Sequence, residues 1–220
     1  MLTVHHLNNS RSQRVLWLLE ELGVPYELVK YERDPKTMLA PPELQKIHPL
    51  GKSPVVTDGD DTIAESGAIV EYIADQYGDG KLLPSRGSQE YLKARYYMHY
   101  AEGSLMPLLL LRLIFGRVRS AKMPFFAKPV AKKIAGQVET TFIDPNLERH
   151  VRFIDGELAK STWFAGEELT IADIQMIYPM EALAARYPNV PERIAAWVER
   201  AHVRPAYQRA EARGGKNEIV

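Results

Sequence analysis

The apolar positions of the first eighty residues change period several times. Leu2 to His6 is a short β-type run, after which Val15, Leu16, Leu18, Leu19 and Leu22 recur at helical spacing. Asn8-Asn9-Ser10 supplies helix-start residues, and Gly23, with Pro25 just beyond, ends the helix. Tyr26 to Tyr31 reads as a second strand, which makes strand, helix and strand a βαβ unit with parallel strands. Pro54 to Thr57 and Thr62 to Ala64 flank Asp58-Gly59-Asp60, the signature of an antiparallel hairpin. A helix starting near Glu65-Ser66 turns Ile69, Val70, Ile73 and Ala74 inward and stops at Gly78.

That order predicts a small α/β domain of thioredoxin-like type over residues 1–80. A stretch rich in Gly, Pro and Ser follows, from Asp79-Gly80 to Arg86-Gly87-Ser88, and lacks any apolar period, so it reads as a linker. Residues 88–220 form the second, all-helical domain. Helices are expected from Ser88 to about Phe115, roughly Met123 to Leu158, Thr170 to Arg186, Pro191 to Ala201 and Pro205 to Arg213. The polar end, Gly214 to Val220, is expected to be loose.

Composition narrows the chemistry. Apolar residues at 45% and charged residues at 25% are those of a folding globular chain. Twenty-eight basic side chains balance twenty-eight acidic ones, which removes the global charge expected of a nucleic-acid binder. With no cysteine, disulfides, thiolate metal sites and a cysteine nucleophile are excluded, so any sulfur chemistry uses a ligand's sulfur. His5 and His6 are adjacent on a strand and face opposite ways, and no metal-binding spacing occurs. The first residues lack a secretory signal, and the longest apolar stretch, Leu105 to Phe115, is broken by Pro107 and Arg112; a cytoplasmic protein without membrane contact is expected.

Three segments deliver polar groups to one edge of the sheet. Asn8 to Ser12 lies where strand one turns into helix one, and free N–H groups at a helix start favour an anion such as a thiolate. Ser10 reads there as a hydroxyl donor or as a plain N-cap. In His48-Pro49-Leu50-Gly51-Lys52-Ser53-Pro54, a cis bond before Pro54 would turn the Ser53 backbone outward to pair with a peptide-like ligand; a trans turn proline is the alternative. Glu65-Ser66 offers a carboxylate for an ammonium and a hydroxyl with helix-start N–H groups for a carboxylate, although it also reads as an ordinary cap.

Taken together, these motifs resemble the cytosolic glutathione transferase family over essentially the whole chain. The resemblance rests on Ser10-Arg11-Ser12-Gln13-Arg14, His48 to Pro54, Glu65-Ser66 before an apolar helix, and Leu169-Thr170-Ile171-Ala172-Asp173. The run from His5 to Tyr26 and the segment from Tyr97 to Leu105 look like a fungal and bacterial branch. The resemblance implies a homodimer with glutathione as co-substrate, no metal, and a small electrophilic partner. Ser10 looks like the catalytic hydroxyl, with Asn9 and Ser12 as alternative thiol donors. Lys52, Ser53, Pro54, Glu65 and Ser66 look like the glutathione site. Tyr100, Met106 and Phe115 are candidates for the co-substrate pocket, and Thr170 with Asp173 for a helix-capping box.

The implied reaction is conjugation of the glutathione thiolate to a hydrophobic electrophile. Disulfide or peroxide reduction on the same site is an alternative, motivated by the Asn8-Asn9 pair. A non-catalytic glutathione-binding module is a third reading. From Gly103 to Val138 the chain carries seven basic residues and no acid, which reads as a solvated face or as an electropositive lip for anionic ligands.

Overall fold

The computed structural model describes residues 1–216. Strands β1 (Leu2–Leu7), β2 (Glu27–Tyr31), β3 (Val55–Asp58) and β4 (Asp61–Ala64) form one sheet in the order β2-β1-β3-β4. β1 is parallel to β2 and antiparallel to β3, and β3 and β4 form the expected hairpin, whose Gly59 turns at φ 58°. Helices α1 (Ser12–Leu22), α2 (Glu43–Ile47) and α3 (Ser66–Tyr77) complete this half. α1 ends where Gly23 adopts φ 71°, a left-handed conformation that costs glycine nothing.

Helices α4 (Gln89–Tyr100), α5 (Met106–Ser120), α6 (Lys128–Val138), α7 (Asp144–Leu158), α8 (Ile171–Arg186), α9 (Glu192–His202) and α10 (Pro205–Gly214) follow. Two wide π turns, Ala101–Leu105 and Glu139–Ile143, link α4 to α5 and α6 to α7. Each precedes a helix whose second residue is proline, Pro107 or Pro145. A proline lacks an N–H and crowds the carbonyl four residues back, and a turn bonded five residues back relieves both problems. The Met106 and Asp144 N–H groups accordingly bond to the carbonyls of Ala101 and Glu139. α5 also runs to Ser120, beyond the expected end near Phe115.

One apolar core passes through both halves, from Leu2 and Val4 through Trp17 and Leu18 to Ile174 and Trp197. α10 lies along α1, with Trp17 edge-on to Tyr207 at 5.6 Å, and with Arg209 and Arg204 paired to Glu20 and Glu21. α8 begins at the expected capping box. Asp173, fully buried, accepts from the Thr170 N–H, the Thr170 hydroxyl and the Phe164 N–H, and the Thr170 hydroxyl accepts from Ala172. Among the described residues, no helix is long and apolar enough to cross a membrane.

Candidate active site

The turn from β1 into α1 is held from two sides. Asn9 sits at φ 51°, a left-handed conformation that asparagine tolerates better than most residues. Arg33 fixes it: its backbone N–H donates to Asn8 Oδ1 at 2.9 Å, its Nε to the Asn8 carbonyl and its Nη2 to the Asn9 carbonyl. Behind the turn, His6 Nε2 lies 3.0 Å from the Gly214 carbonyl, which only accepts, so Nε2 carries the proton and Nδ1 is the acceptor. Ser12 Oγ, at 2.8 Å, therefore donates to His6. Its proton is spent, so the 2.7 Å contact between the two serines is Ser10 donating to Ser12. Burial lowers the His6 pKa to about 4, with the nearby Lys30 charge adding to it, and keeps the imidazole neutral although the Gly214 bond opposes this.

Ser10 and Ser12 are thus sealed in the interior, at 4% and 0% exposure, while Asn9 lines the adjacent cavity. The Ser10 oxygen also accepts from the Ser12 N–H at 3.2 Å, the local capping role. The Ser53–Pro54 bond is cis. The Ser53 hydroxyl donates to the His5 carbonyl and accepts from the Leu7 N–H, extending the β1–β3 connection past the last paired residues, His5 and Val55. Pro54 is buried and Lys52 exposed.

Glu65 is exposed at φ 71°, a sparsely populated conformation for a non-glycine residue. Next to it, Ser66 is buried, and its oxygen accepts from Arg14 Nη1 at 3.1 Å and from Gln175 Nε2 at 3.4 Å. With both lone pairs occupied, the hydroxyl has only its proton to offer, which suits an anionic ligand. Arg14 also pairs with Glu102 at 2.8 Å, and Glu102 receives Arg11 Nε on both oxygens. Burial pushes the Glu102 carboxyl up, but the charges of Arg14 and Arg11 outweigh it and hold the group below its ordinary value. Burial lowers Arg14. Both guanidinium groups lie over the Tyr178 ring, at 5.1 and 5.6 Å from its centroid.

Between the turn, α5 and α8 lies a cavity of about 270 Å³ with an apolar wall that includes Met106, Leu109 and Leu113. Of the three residues expected at a co-substrate pocket, Met106 lines this cavity. Tyr100 is placed elsewhere, in a ring cluster with Tyr97 and Phe153 and bonded to His150, and Phe115 does not belong to the cavity wall. One residue per helical turn decides the matter, since α5 presents Leu109 and Leu113 inward and Phe115 on another side. The basic stretch is split as well: Arg112 and Arg119 pair with Asp144 and Glu139, Arg117 faces the cavity, and Lys122, Lys128, Lys132 and Lys133 are exposed. Glu102, Arg11 and Arg14 lie in segments that carry the family resemblance, but their pairing shows only in the fold; the arginines at 33 and 186 carry no sequence signal.

A thioredoxin-like sheet joined to a helical bundle, with an anion-directed serine on one edge and an apolar cavity between, defines a class of two-domain proteins built to hold a small anionic ligand beside an apolar one. The chain belongs to the glutathione S-transferase family. The family models for its N-terminal and C-terminal domains match residues 1–75 and 130–205. The chain is 34% identical to glutathione S-transferase 1 of Saccharomyces cerevisiae, covering 90% of this chain and 89% of the relative. It is 35% identical to glutathione S-transferase 3 of Schizosaccharomyces pombe, over 94% and 85%. Among solved structures, a glutathione S-transferase from Actinobacillus pleuropneumoniae superposes with a TM-score of 0.81 at 28% identity, covering 100% and 95% of the two chains. A glutathione transferase of Phanerochaete chrysosporium, solved with oxidized glutathione, superposes with a TM-score of 0.74 at 22% identity, over 97% and 94%.

Proposed function

We propose that this transferase binds glutathione along Ser53–Pro54, Glu65 and Ser66, holds the sulfur at the β1–α1 turn as a thiolate, and joins it to an electrophile seated in the cavity. The observation that carries this reading is the position of Asn9, which places the turn and the α1 start on the cavity wall. An ordinary thiol, with a pKa near 8.5, is only a few per cent ionised at pH 7. The positive end of the α1 dipole and the Arg11 charge favour the ionised form, and the thiol proton leaves to water. The sulfur then forms a bond to the electrophilic carbon, and the leaving group departs with its electron pair.

Within this reading the Asn9 amide donates to the sulfur, because the Ser10 proton is already given to Ser12. Ser10 and Ser12 are struts that set the turn. The Ser66 proton meets the γ-glutamyl carboxylate, Glu65 its ammonium, and Lys52 the glycyl carboxylate. Two copies associate through the face of α4 that exposes Leu92 and Tyr96, and the protein acts in the cytoplasm.

The test is an ultraviolet difference titration with reduced glutathione across pH, following the thiolate absorbance of the bound ligand. An apparent thiol pKa well below that of free glutathione supports activation. Saturable binding with an unshifted pKa instead indicates a binding module, and turnover of a mixed disulfide exceeding that of aryl halides indicates a reductase.

A further inference from the structure

The cavity wall is apolar, yet four arginines face it. Arg11 comes from the α1 start, Arg33 from the loop after β2, Arg117 from α5 and Arg186 from the end of α8. Among the described residues, no carboxylate lines this cavity. Arg11 is the one of the four with an ion pair among the described residues, and its partner Glu102 is already shared with Arg14. Arg33 spends its side-chain donors on the carbonyls of Asn8, Asn9 and Met38, which satisfy its geometry and leave its charge uncompensated. In the adjoining hollow the two acids among the described residues, Glu139 and Asp144, are taken by Arg119 and Arg112.

Gathering like charges around an apolar slot is unfavourable unless something of opposite sign comes to it. Two of these groups respond to that setting. Burial lowers Arg33 and Arg186 from the ordinary guanidinium value; Tyr178 on the same wall opposes this, and the neighbouring charges of Arg11 and Arg117 add to the lowering. Both remain cations at any physiological pH. A cavity of roughly 150 Å³ accepts a benzene ring, so this one has room for an aromatic group with a charged substituent.

We propose that the cavity selects electrophiles that carry an anionic group, a carboxylate or sulfonate attached to an apolar, ring-sized body, and that Arg186 and Arg117 bind that group. The apolar wall takes the body, and the paired guanidinium forks take the anion by charge-assisted hydrogen bonds. This deepens the proposed function and rests on the cavity being the second-substrate site.

The test uses two matched probes, 4-chloro-3-nitrobenzoate and 4-chloro-3-nitrobenzamide. With either, glutathione sulfur adds to the carbon bearing chlorine and chloride leaves with the electron pair. Each kcat/KM is divided by the probe's uncatalysed rate with glutathione, which removes the difference in intrinsic reactivity. The benzoate is expected to be preferred at least tenfold. Arg186→Gln is expected to cut that preference to threefold or less and leave the benzamide within twofold, with Arg186→Lys recovering part of it and Arg117→Gln acting in the same direction. Calorimetric titration of both probes into the protein saturated with S-methylglutathione is expected to show the same ranking.

Equal turnover of the two probes by the native protein overturns the anion proposal and leaves conjugation standing. Tighter benzoate binding without turnover of either probe supports the anion site and overturns conjugation. If Arg186→Gln raises the pKa of the bound thiol and slows both probes equally, the arginines serve the sulfur, and the proposal falls.

Discussion

Arg14 and Glu102 meet at 2.8 Å across the junction of the two halves, and the arginine side chain has no exposed surface. The same guanidinium donates to Ser66, so a carboxylate on the π turn between α4 and α5 positions a hydroxyl at the start of α3. Removing either partner is unequal in consequence. Glu102→Ala leaves Arg14 as a buried cation without a counter-charge, at a cost of about 3–5 kcal/mol. Arg14→Met leaves Glu102 paired with Arg11 and is expected to cost less. Urea denaturation of both variants checks this, and equal losses would contradict it.

Asn9 and Ser10 can be separated kinetically. Asn9→Ala is expected to lower kcat at least tenfold with glutathione KM nearly unchanged, and to raise the pKa of the bound thiol. Ser10→Ala removes a strut rather than the sulfur's partner, and is expected to lower stability by about 1 kcal/mol, the usual worth of one hydrogen bond, with a smaller loss of kcat. A larger kcat loss in Ser10→Ala, with the thiol pKa raised there instead, returns the sulfur to serine.

His6 makes stability depend on pH. Its folded pKa, about 4, lies below the ordinary 6.5, so the unfolded chain takes up a proton that the native fold refuses. This contribution is fully present above pH 6.5 and is lost as pH falls toward 4, to a total of about 3 kcal/mol. Asp173, pushed up to about 7 by burial, acts oppositely, losing stability as pH rises from its ordinary 3.8 toward 7. The quantity to measure is therefore the difference between native protein and His6→Asn in unfolding free energy from pH 8 to 4.5. A difference that does not change across that range would show that His6 titrates alike in both states.

Thr170 and Asp173 belong to folding. Asp173→Ala strands the buried N–H groups of Phe164 and Thr170, at about 1–3 kcal/mol each. Thermal unfolding should move strongly downward while kcat measured well below the transition stays the same. A selective loss of kcat would give these residues another role.

Much of the architecture was legible because it rests on local rules. The period of Val15 to Leu22, the Gly23 stop and the Asp58-Gly59-Asp60 turn each constrain a few neighbouring residues, and the elements formed there. The two π turns were not legible: the apolar period runs a helix straight through Pro107 and another through Pro145, whereas the fold widens the turn before each proline. At the site, the polar segments at 8–12, 48–54 and 65–66 were readable as chemistry, because a helix start or an X-Pro bond has the same potential wherever it lies.

The sequence by itself determined the kinds of groups available: no cysteine, so that any sulfur chemistry uses a ligand's sulfur, and hydroxyl, amide and carboxylate groups at strand and helix ends. Only the tertiary structure decided which of them face the ligand. Ser10 and Asn9 are neighbours in the chain, yet the chain of bonds from Ser10 through Ser12 to His6 turns one hydroxyl inward and leaves the other residue on the cavity wall. Arg33, Arg117 and Arg186 are separated by scores of residues and meet through the packing of α8 against α1 and of α5 against α8. Local energetics act over a few residues, whereas such a meeting depends on the whole core, and the charge it gathers is a property of no single segment.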